Sequence, residues 1–235
     1  MRTEKAVVLC SGGLNSAVVT SIARLEHDVT LVHARWGHRC QAKELDLFER
    51  FADSLGITQR VFVDLPYFAE IVGSARVNKR RQVEDALAMT GGNTACYMPG
   101  LIGALLSAAF THASSINATK VFIGVSENLG PPAPATSRLF PDYSREFLQL
   151  FNHLYLSATP ERAISIETPV IDLTRADIVR LGNRLATPFE LTWSCMAGTA
   201  EPCGRCLGCA TRNRGFLDAA VPDPLLRRPA MAIQN

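Results

Sequence analysis

The sequence predicts an α/β fold with a doubly wound, mostly parallel sheet. Short apolar, β-branched runs alternate with segments whose apolar residues recur at helical spacing, and glycines lie at several of the junctions. Alternating strands and helices are typical of a parallel sheet with helices on both faces. With 235 residues, 47% of them hydrophobic, the chain is long enough to bury one sizeable core.

The first part of the chain is predicted to contain three strands and two helices. Ser11-Gly12-Gly13 forms the first turn between a strand and a helix, and Gly56 ends the second helix. The predicted strands cover residues 5–10, 29–34 and 59–63, and the predicted helices cover 16–25 and 41–55.

The second part continues the alternation after a stretch at 78–93 that has no clear period and is predicted to be a loop or lid. Thr174 is the expected N-cap of the last helix, with Asp177 three residues on. Residues 129–141 contain four prolines and are predicted to be irregular. The predicted helices cover 99–116, 143–156 and 175–185, and the strands cover 120–124 and 164–168.

These patterns divide the chain into three parts. Residues 1–190 are predicted to form a nucleotide-binding α/β domain, and residues 191–220 a metal-binding segment packed on it. Residues 221–235, rich in proline and arginine, are predicted to form an extended or disordered tail.

Composition indicates a soluble cytosolic protein. The sequence shows neither a membrane-spanning apolar run nor a secretory signal pattern, and its formal net charge of +2 gives little support for nucleic-acid binding. Seven cysteines, four of them crowded into 195–209, do not suit a disulfide framework.

The four crowded cysteines predict a metal site. Cys203, Cys206 and Cys209 are spaced three residues apart with glycines between them, and Cys195 supplies a fourth thiol. Four thiolates suit tetrahedral Zn²⁺ in a closed, structural site. Free thiols and an iron–sulfur cluster are the alternatives. The other cysteines are expected to be buried small hydrophobic residues.

The turn after the first strand predicts an anion-binding loop. Glycines let a ligand approach the backbone of Ser11–Ser16, and the helix that follows directs amide N–H groups toward the ligand. An ordinary tight strand–helix turn would also use paired glycines.

The loop resembles the SGGxDS signature of the PP-loop ATP pyrophosphatases, which cleave ATP to AMP and pyrophosphate. The resemblance implies ATP as substrate, Mg²⁺ as its counterion, and a Rossmann-like PP-loop fold. Asn15 stands where the signature has an acid, and an amide is a poorer magnesium ligand than a carboxylate. The implied ATP-binding residues are Leu9, Cys10, Ser11, Gly12, Gly13, Leu14, Asn15 and Ser16.

Both motifs together resemble the 7-cyano-7-deazaguanine synthase (QueC) family, and shorter matches extend over almost the whole chain. These matches include Trp36-Gly37-His38-Arg39, Met98-Pro99-Gly100, Gly124-Val125, Phe140-Pro141-Asp142 and Trp193-Ser194-Cys195. The resemblance implies adenylation of the carboxylate of 7-carboxy-7-deazaguanine, displacement of AMP by ammonia to give an amide, and dehydration of the amide to a nitrile.

Departures from the family pattern lie where substrate is expected to bind. The family's PGRN reads Pro99-Gly100-Leu101-Ile102 here, and YPDCR reads Phe140-Pro141-Asp142-Tyr143-Ser144, so arginines are lost from both. The substrate-binding candidates are Arg35, Trp36, His38, Arg39, Pro141 and Asp142, and the catalytic candidates are Asn15, Asp142 and Arg145.

The sequence therefore leaves three alternative functions open. The first is the family reaction on ATP and a deazapurine. The second is a specialised relative, as in defence-associated systems, that joins the deazaguanine to an amine of a partner protein. The third is a nucleotide- or nucleobase-binding module with reduced catalysis because of Asn15. The near-neutral charge disfavours a tRNA thiolase, and the sequence leaves open whether the protein is a homodimer.

Overall fold

The computed structural model describes residues 4–71, 73–89, 93–128, 139–159, 161 and 163–226. The predicted proline-rich segment at 129–138 and the tail beyond 226 lie outside the described residues. Within the predicted tail, Pro224–Leu226 forms a single 3₁₀ turn.

Five parallel strands form one sheet in the order β3-β2-β1-β4-β5. The prediction of a mostly parallel, doubly wound sheet is confirmed. The strands are β1 (Glu4–Leu9), β2 (His27–Arg35), β3 (Arg60–Asp64), β4 (Lys120–Ile123) and β5 (Ser165–Glu167).

Seven α-helices connect and flank these strands in the part of the chain that the structure describes. Five match predicted helices, whereas the short α3 and the C-terminal α7 were not predicted. The helices are α1 (Leu14–Ala23), α2 (Gln41–Ser54), α3 (Tyr67–Ile71), α4 (Leu101–Ile116), α5 (Arg145–Ala158), α6 (Arg175–Arg184) and α7 (Leu207–Ala219). No described helix has the length and hydropathy needed to cross a membrane.

Alternate residues of β1 enter two hydrophobic cores, one on each face of the sheet. Ala6 and Val8 pack into a core shared with α1, α2, α6 and α7. Val7 and Leu9 pack into a second core with α4 and α5. Phe216 of α7 belongs to the first core, so α7 packs on the same face of the sheet as α1, α2 and α6.

The strand order reverses at β1, whose neighbours are β2 on one side and β4 on the other. Ligands of open parallel sheets bind in the crevice that such a reversal leaves beyond the carboxyl ends of the strands. The loop after β1 and Gly124 after β4 meet there: a Cβ on Gly124 would lie 2.7 Å from the amide nitrogen of Ser16.

The stretch at 78–93, predicted to be a loop or lid, contains a 3₁₀ turn at Ala86–Ala88. Its described part is irregular apart from that turn. Asp85 forms an isolated bridge with Cys206, and the Ala86 amide donates to the Arg205 carbonyl at 3.0 Å. This stretch is therefore tied to the C-terminal cysteine segment.

Candidate active site

The loop between β1 and α1 is organised by its two serines. The Ser11 amide donates to the Ser16 hydroxyl at 3.2 Å, and the Ser16 hydroxyl donates to the Gly13 carbonyl at 3.0 Å. Gly12 has a φ of +80°, which favours glycine. Gly13 precedes α1 in extended conformation and makes no side-chain cap, so the first amides of α1 remain available to an anion.

Trp193 contacts this loop directly, and the start of α7 packs against the residue that follows Trp193. The Trp193 amide donates to the Gly12 carbonyl at 2.8 Å. Gly208 at the start of α7 lies against Ser194, so that a Cβ there would overlap the Ser194 carbonyl oxygen. The C-terminal segment therefore contacts residues 11–16, which we call the phosphate loop because their sequence resembles the PP-loop signature.

A guanidinium also lies beside the loop. Arg175, the first residue of α6, donates from Nη1 to the side-chain oxygen of Asn15. Its Nε is buried without a hydrogen-bond partner. Burial, reinforced by repulsion from Arg212, lowers the pKa of Arg175 to about 10, and it remains a cation at neutral pH.

The loop opens into a chamber with a volume of about 230 Å³. Most of its wall is apolar or aromatic, and among the described residues that line it the charged side chains are Glu44, Arg76 and Arg175. The wall residues beyond the loop include Val32, Ala34, Trp36, Leu101, Ile102, Leu105, Phe140, Tyr143, Trp193, Met196 and Leu207. A chamber of this kind suits a flat, largely apolar ligand with a few polar groups.

Glu44 lies at the junction of the phosphate loop and the chamber. Its side chain is 13% exposed, and its Oε2 lies 3.4 Å from Nε2 of His38. Burial raises the pKa of Glu44 to about 7, and the nearby Arg76 opposes that shift. Burial also lowers the pKa of His38 well below its usual range, so His38 is neutral.

Three flat groups, one of which is His38, form a stack near this carboxylate. The Arg76 guanidinium lies 4.5 Å from the centre of the Trp36 ring, and the Trp36 ring stacks on His38 with 4.2 Å between centres. Trp36 and His38 are both buried. The stack fixes the orientation of His38 relative to Glu44.

Asp142 is buried and is not among the lining residues of the chamber, whereas the adjacent Tyr143 is. Its Oδ1 has no hydrogen-bond partner among the described residues. Burial raises the pKa of Asp142 to about 6, while backbone hydrogen bonds lower it by a smaller amount. The adjacent Pro141 is exposed and does not line the chamber.

The structure places the three arginines singled out from the sequence away from the chamber wall. Arg35 forms a bidentate pair with Asp64 at 2.7 Å, and Arg145 contacts Asp172 at 2.5 Å. Arg39 donates to the backbone carbonyls of the 78–81 loop. Of the other predicted substrate residues, Trp36 lines the chamber and His38 lies behind its wall.

The four predicted cysteines converge. The sulfurs of Cys195, Cys203, Cys206 and Cys209 all lie within 4.8 Å of one another, and those of Cys203 and Cys209 are 3.9 Å apart. Tetrahedral Zn²⁺ with bonds of about 2.3 Å would hold sulfurs roughly 3.8 Å apart. The Met196 amide donates to the Cys206 sulfur and the Ala197 amide to the Cys195 sulfur, both at 3.4 Å. The cluster could therefore hold a metal ion.

Comparison with known proteins gives a consistent result. The model of the family described as queuosine biosynthesis protein QueC matches residues 5–220. The chain belongs to this family. It is 35% identical over 223 residues to the 7-cyano-7-deazaguanine synthase of Chlorobium phaeobacteroides, covering 94% of this chain and 96% of that protein. It is 34% identical over 228 residues to the enzyme of the same name from Acidobacterium capsulatum, covering 95% and 96%.

Membership of the QueC family confirms the resemblance drawn from the phosphate loop and the cysteine cluster. Leu101 and Ile102, which stand where the resemblance drawn from the sequence implies an arginine and an asparagine, both line the chamber. These two departures therefore lie in the chamber wall.

Sequence reasoning missed three charged residues of the chamber. Arg175 carries a signal that could have been recognised: it is a cation at the N-terminus of a helix, where the helix dipole favours anions. Glu44 is the acidic residue of the first turn of α2, which resembles an ordinary helix start. Arg76 lies in an irregular stretch, and the sequence around it gave no indication of a binding site.

Proposed function

We propose that this protein uses ATP to activate the carboxylate of 7-carboxy-7-deazaguanine and joins the activated carbon to nitrogen, giving an amide and then a nitrile. The observation that carries the proposal is the family match over residues 5–220, together with a phosphate loop that opens into an aromatic chamber. The relatives that cover almost the whole chain are named for the nitrile product.

The phosphate end of the site would bind the triphosphate. Backbone amides at the start of α1 and the hydroxyls of Ser11 and Ser16 offer neutral donors. Arg175 adds a positive charge beside the loop. Groups fixed in this way stabilise the negative charge that develops as pyrophosphate leaves, because they need not reorganise during the reaction.

The chamber would bind the deazaguanine. Its aromatic and aliphatic wall suits the faces of a planar heterocycle. Arg76 is a suitable partner for the carboxylate before adenylation, since guanidinium groups match carboxylate geometry. This arrangement would hold the carboxylate close to the α-phosphate of ATP.

Two metals enter the proposal in different roles. Zn²⁺ in the four-cysteine cluster would be structural, because four thiolates fill its coordination shell. Mg²⁺ would neutralise triphosphate charge, with phosphate oxygens and water as most of its ligands. The Asn15 side-chain oxygen already accepts from Arg175, so it is a weak candidate for a magnesium ligand.

The test uses the full-length, zinc-loaded protein with ATP, Mg²⁺, 7-carboxy-7-deazaguanine and ammonium. We expect AMP and pyrophosphate, with an amide that is converted to a nitrile. Mass spectrometry of the small molecules identifies each product. Absence of AMP in the presence of all four components would contradict the proposal.

A second candidate is conjugation of the deazaguanine to an amine of a partner protein. Leu101 and Ile102 favour it, because they change the chamber wall where the family pattern carries polar residues. AMP formation without amide or nitrile from ammonium, followed by a mass increase on an added protein, would support this candidate.

The binding-module hypothesis is tested through Asn15. The variant Asn15→Asp restores the acidic residue of the signature, and an enzyme limited by Asn15 should release more AMP after this change. A binding module would remain silent in both forms while still binding ATP, which isothermal titration measures.

A further inference from the structure

We infer that Glu44 is the catalytic base that takes the proton from the incoming nitrogen nucleophile, and that His38 is a positioning residue behind it. The inference rests on the proposed function and deepens it. Among the described residues that line the chamber, Glu44 supplies the carboxylate side chain.

The position of Glu44 fits this role. The first turn of α2 lies against the phosphate loop, since a Cβ on Gly12 would come within 2.8 Å of the Glu44 carbonyl oxygen. Glu44 lines the same chamber as Ser11 and Ser16. A carboxylate at this junction lies beside the place where a carboxylate bound in the chamber would meet the α-phosphate.

The surroundings of Glu44 keep its carboxylate available as a base. Nε2 of His38 lies 3.4 Å from Oε2 of Glu44, and His38 is neutral, so it does not neutralise Glu44 as a fixed cation would. The other ionisable groups that face Glu44 are Cys40 at the start of α2, Arg76 from the 73–89 stretch and Tyr143 after β4. Cys40 and Tyr143 have pKa values raised by burial and stay neutral, which leaves Arg76 as the cation that favours ionised Glu44.

Amide formation conserves atoms and charge when Glu44 accepts the proton that nitrogen loses. The nitrogen lone pair of ammonia attacks the acyl carbon of the adenylate, a C–N bond forms, and the C–O bond to AMP breaks. AMP leaves with the bonding electrons, and one proton moves from nitrogen to the carboxylate of Glu44. No oxidation or reduction takes place, and solvent later removes the proton.

A group that ionises near the working pH is well suited to accept a proton. The pKa of Glu44, about 7, meets this requirement at neutral pH. The rate of amide formation, corrected for the concentration of free ammonia, should therefore rise with pH through about 7 and then level off.

The first test compares two half-reactions in Glu44→Gln. Amide formation should fall on the order of 100-fold, the usual contribution of a general base. Exchange of pyrophosphate into ATP, which reports adenylation and needs no such base, should be affected far less. Asp46→Asn is the matched control, because it removes an exposed carboxylate from the same helix. Equal losses in both half-reactions, or no loss in either, would overturn the inference.

Two further variants separate a base from a structural carboxylate. Glu44→Ala leaves space for a small acid, so added formate should restore part of the amide formation. His38→Phe keeps a ring against Trp36 but removes the nitrogen that faces Glu44, and should move the pH inflection without abolishing it. No rescue by formate, or an unchanged inflection in Glu44→Gln, would count against the assignment. Absence of pyrophosphate exchange in the unaltered protein would instead contradict the proposed function.

Discussion

Arg175 donates from Nη1 to the side-chain oxygen of Asn15, which joins the first residue of α6 to the second residue of α1. The acceptor is a neutral amide, and Arg175 forms no salt bridge among the described residues. Its positive charge therefore stays uncompensated beside the phosphate loop. A buried charge without a partner is costly, and a triphosphate would supply the missing negative charge.

The first prediction is that Arg175→Ala weakens the interaction with ATP. The Michaelis constant for ATP should rise on the order of 10- to 100-fold, because a charge-assisted hydrogen bond contributes about 1.5–3 kcal/mol. Steady-state release of pyrophosphate at varied ATP concentration measures the change.

Arg184→Ala is the control for Arg175→Ala, since Arg184 is an exposed arginine at the other end of α6. It removes the same charge from the protein as a whole and should leave the Michaelis constant unchanged. Equal effects of the two variants would indicate that only the net charge matters.

The second prediction concerns the contact between β4 and the phosphate loop. A Cβ on Gly124 would lie between 2.7 and 2.9 Å from backbone atoms of Asn15 and Ser16, which is closer than real contacts allow. Gly124→Ala should therefore lower the free energy of unfolding by about 1–3 kcal/mol and weaken ATP binding. Chemical denaturation and isothermal titration measure the two effects.

Gly103→Ala is the control for Gly124→Ala, because a Cβ at Gly103 has enough space. A Cβ there would meet Phe151 at an ordinary 3.5 Å, and alanine is favoured over glycine within a helix such as α4. We expect unchanged ATP binding and a gain of roughly 0.5–1 kcal/mol in stability. A loss of ATP binding in this variant as well would show that the effect at Gly124 is not local.

Much of the fold could be predicted because strands and glycines carry local signals. Val7 and Val8 belong to a β-branched run, and the parallel sheet follows from its alternation with helices. The cysteine cluster was predictable from spacing, as three of its members lie within seven residues. The α7 helix was missed because its glycines and polar residues resemble a metal-binding loop, and its packing onto the sheet is tertiary.

The charged wall of the chamber could not be predicted in the same way. Glu44 and Arg76 are 32 positions apart in sequence and meet only because α2 and the 73–89 stretch both reach the end of β1. Conversely, Arg35 and Arg145 matched the expected residue type, but nearby carboxylates hold both of them. Residue type shows which interactions a side chain can make, whereas the fold decides which partner it meets.

The third prediction concerns loss of metal. Cys206→Ala should abolish binding of one zinc ion and lower the free energy of unfolding by roughly 3 kcal/mol or more, since structural zinc contributes on the order of 10 kcal/mol in small domains. It should also weaken ATP binding, because Trp193 next to the cluster holds Gly12 of the phosphate loop. Elemental analysis, denaturation and ATP titration measure these effects.

Cys96→Ala is the control for the zinc prediction. Cys96 is buried like Cys206 but lies outside the cluster, so its loss should leave zinc content unchanged. Zinc retained by Cys206→Ala at full stoichiometry would contradict the four-thiolate site.

The fourth prediction is a pH dependence at Asp142. Burial raises its pKa to about 6 from an ordinary value of 3.8, so the folded protein favours the protonated acid. The stability that this group contributes is fully present below about pH 4 and is lost as pH rises through about 6. Asp142→Asn stays neutral at every pH and avoids that loss. The variant should therefore gain stability relative to the unaltered protein between pH 4 and pH 7, by about 2–3 kcal/mol.

Urea denaturation of both proteins across this pH range measures the difference at Asp142. Asp172→Asn is the control, because Asp172 is exposed and its ion pair with Arg145 is screened by solvent. It should show no comparable gain as pH rises. A difference between Asp142→Asn and the unaltered protein that stays constant from pH 4 to pH 7 would mean that Asp142 is ionised in the folded state, and that a polar partner stabilises its carboxylate.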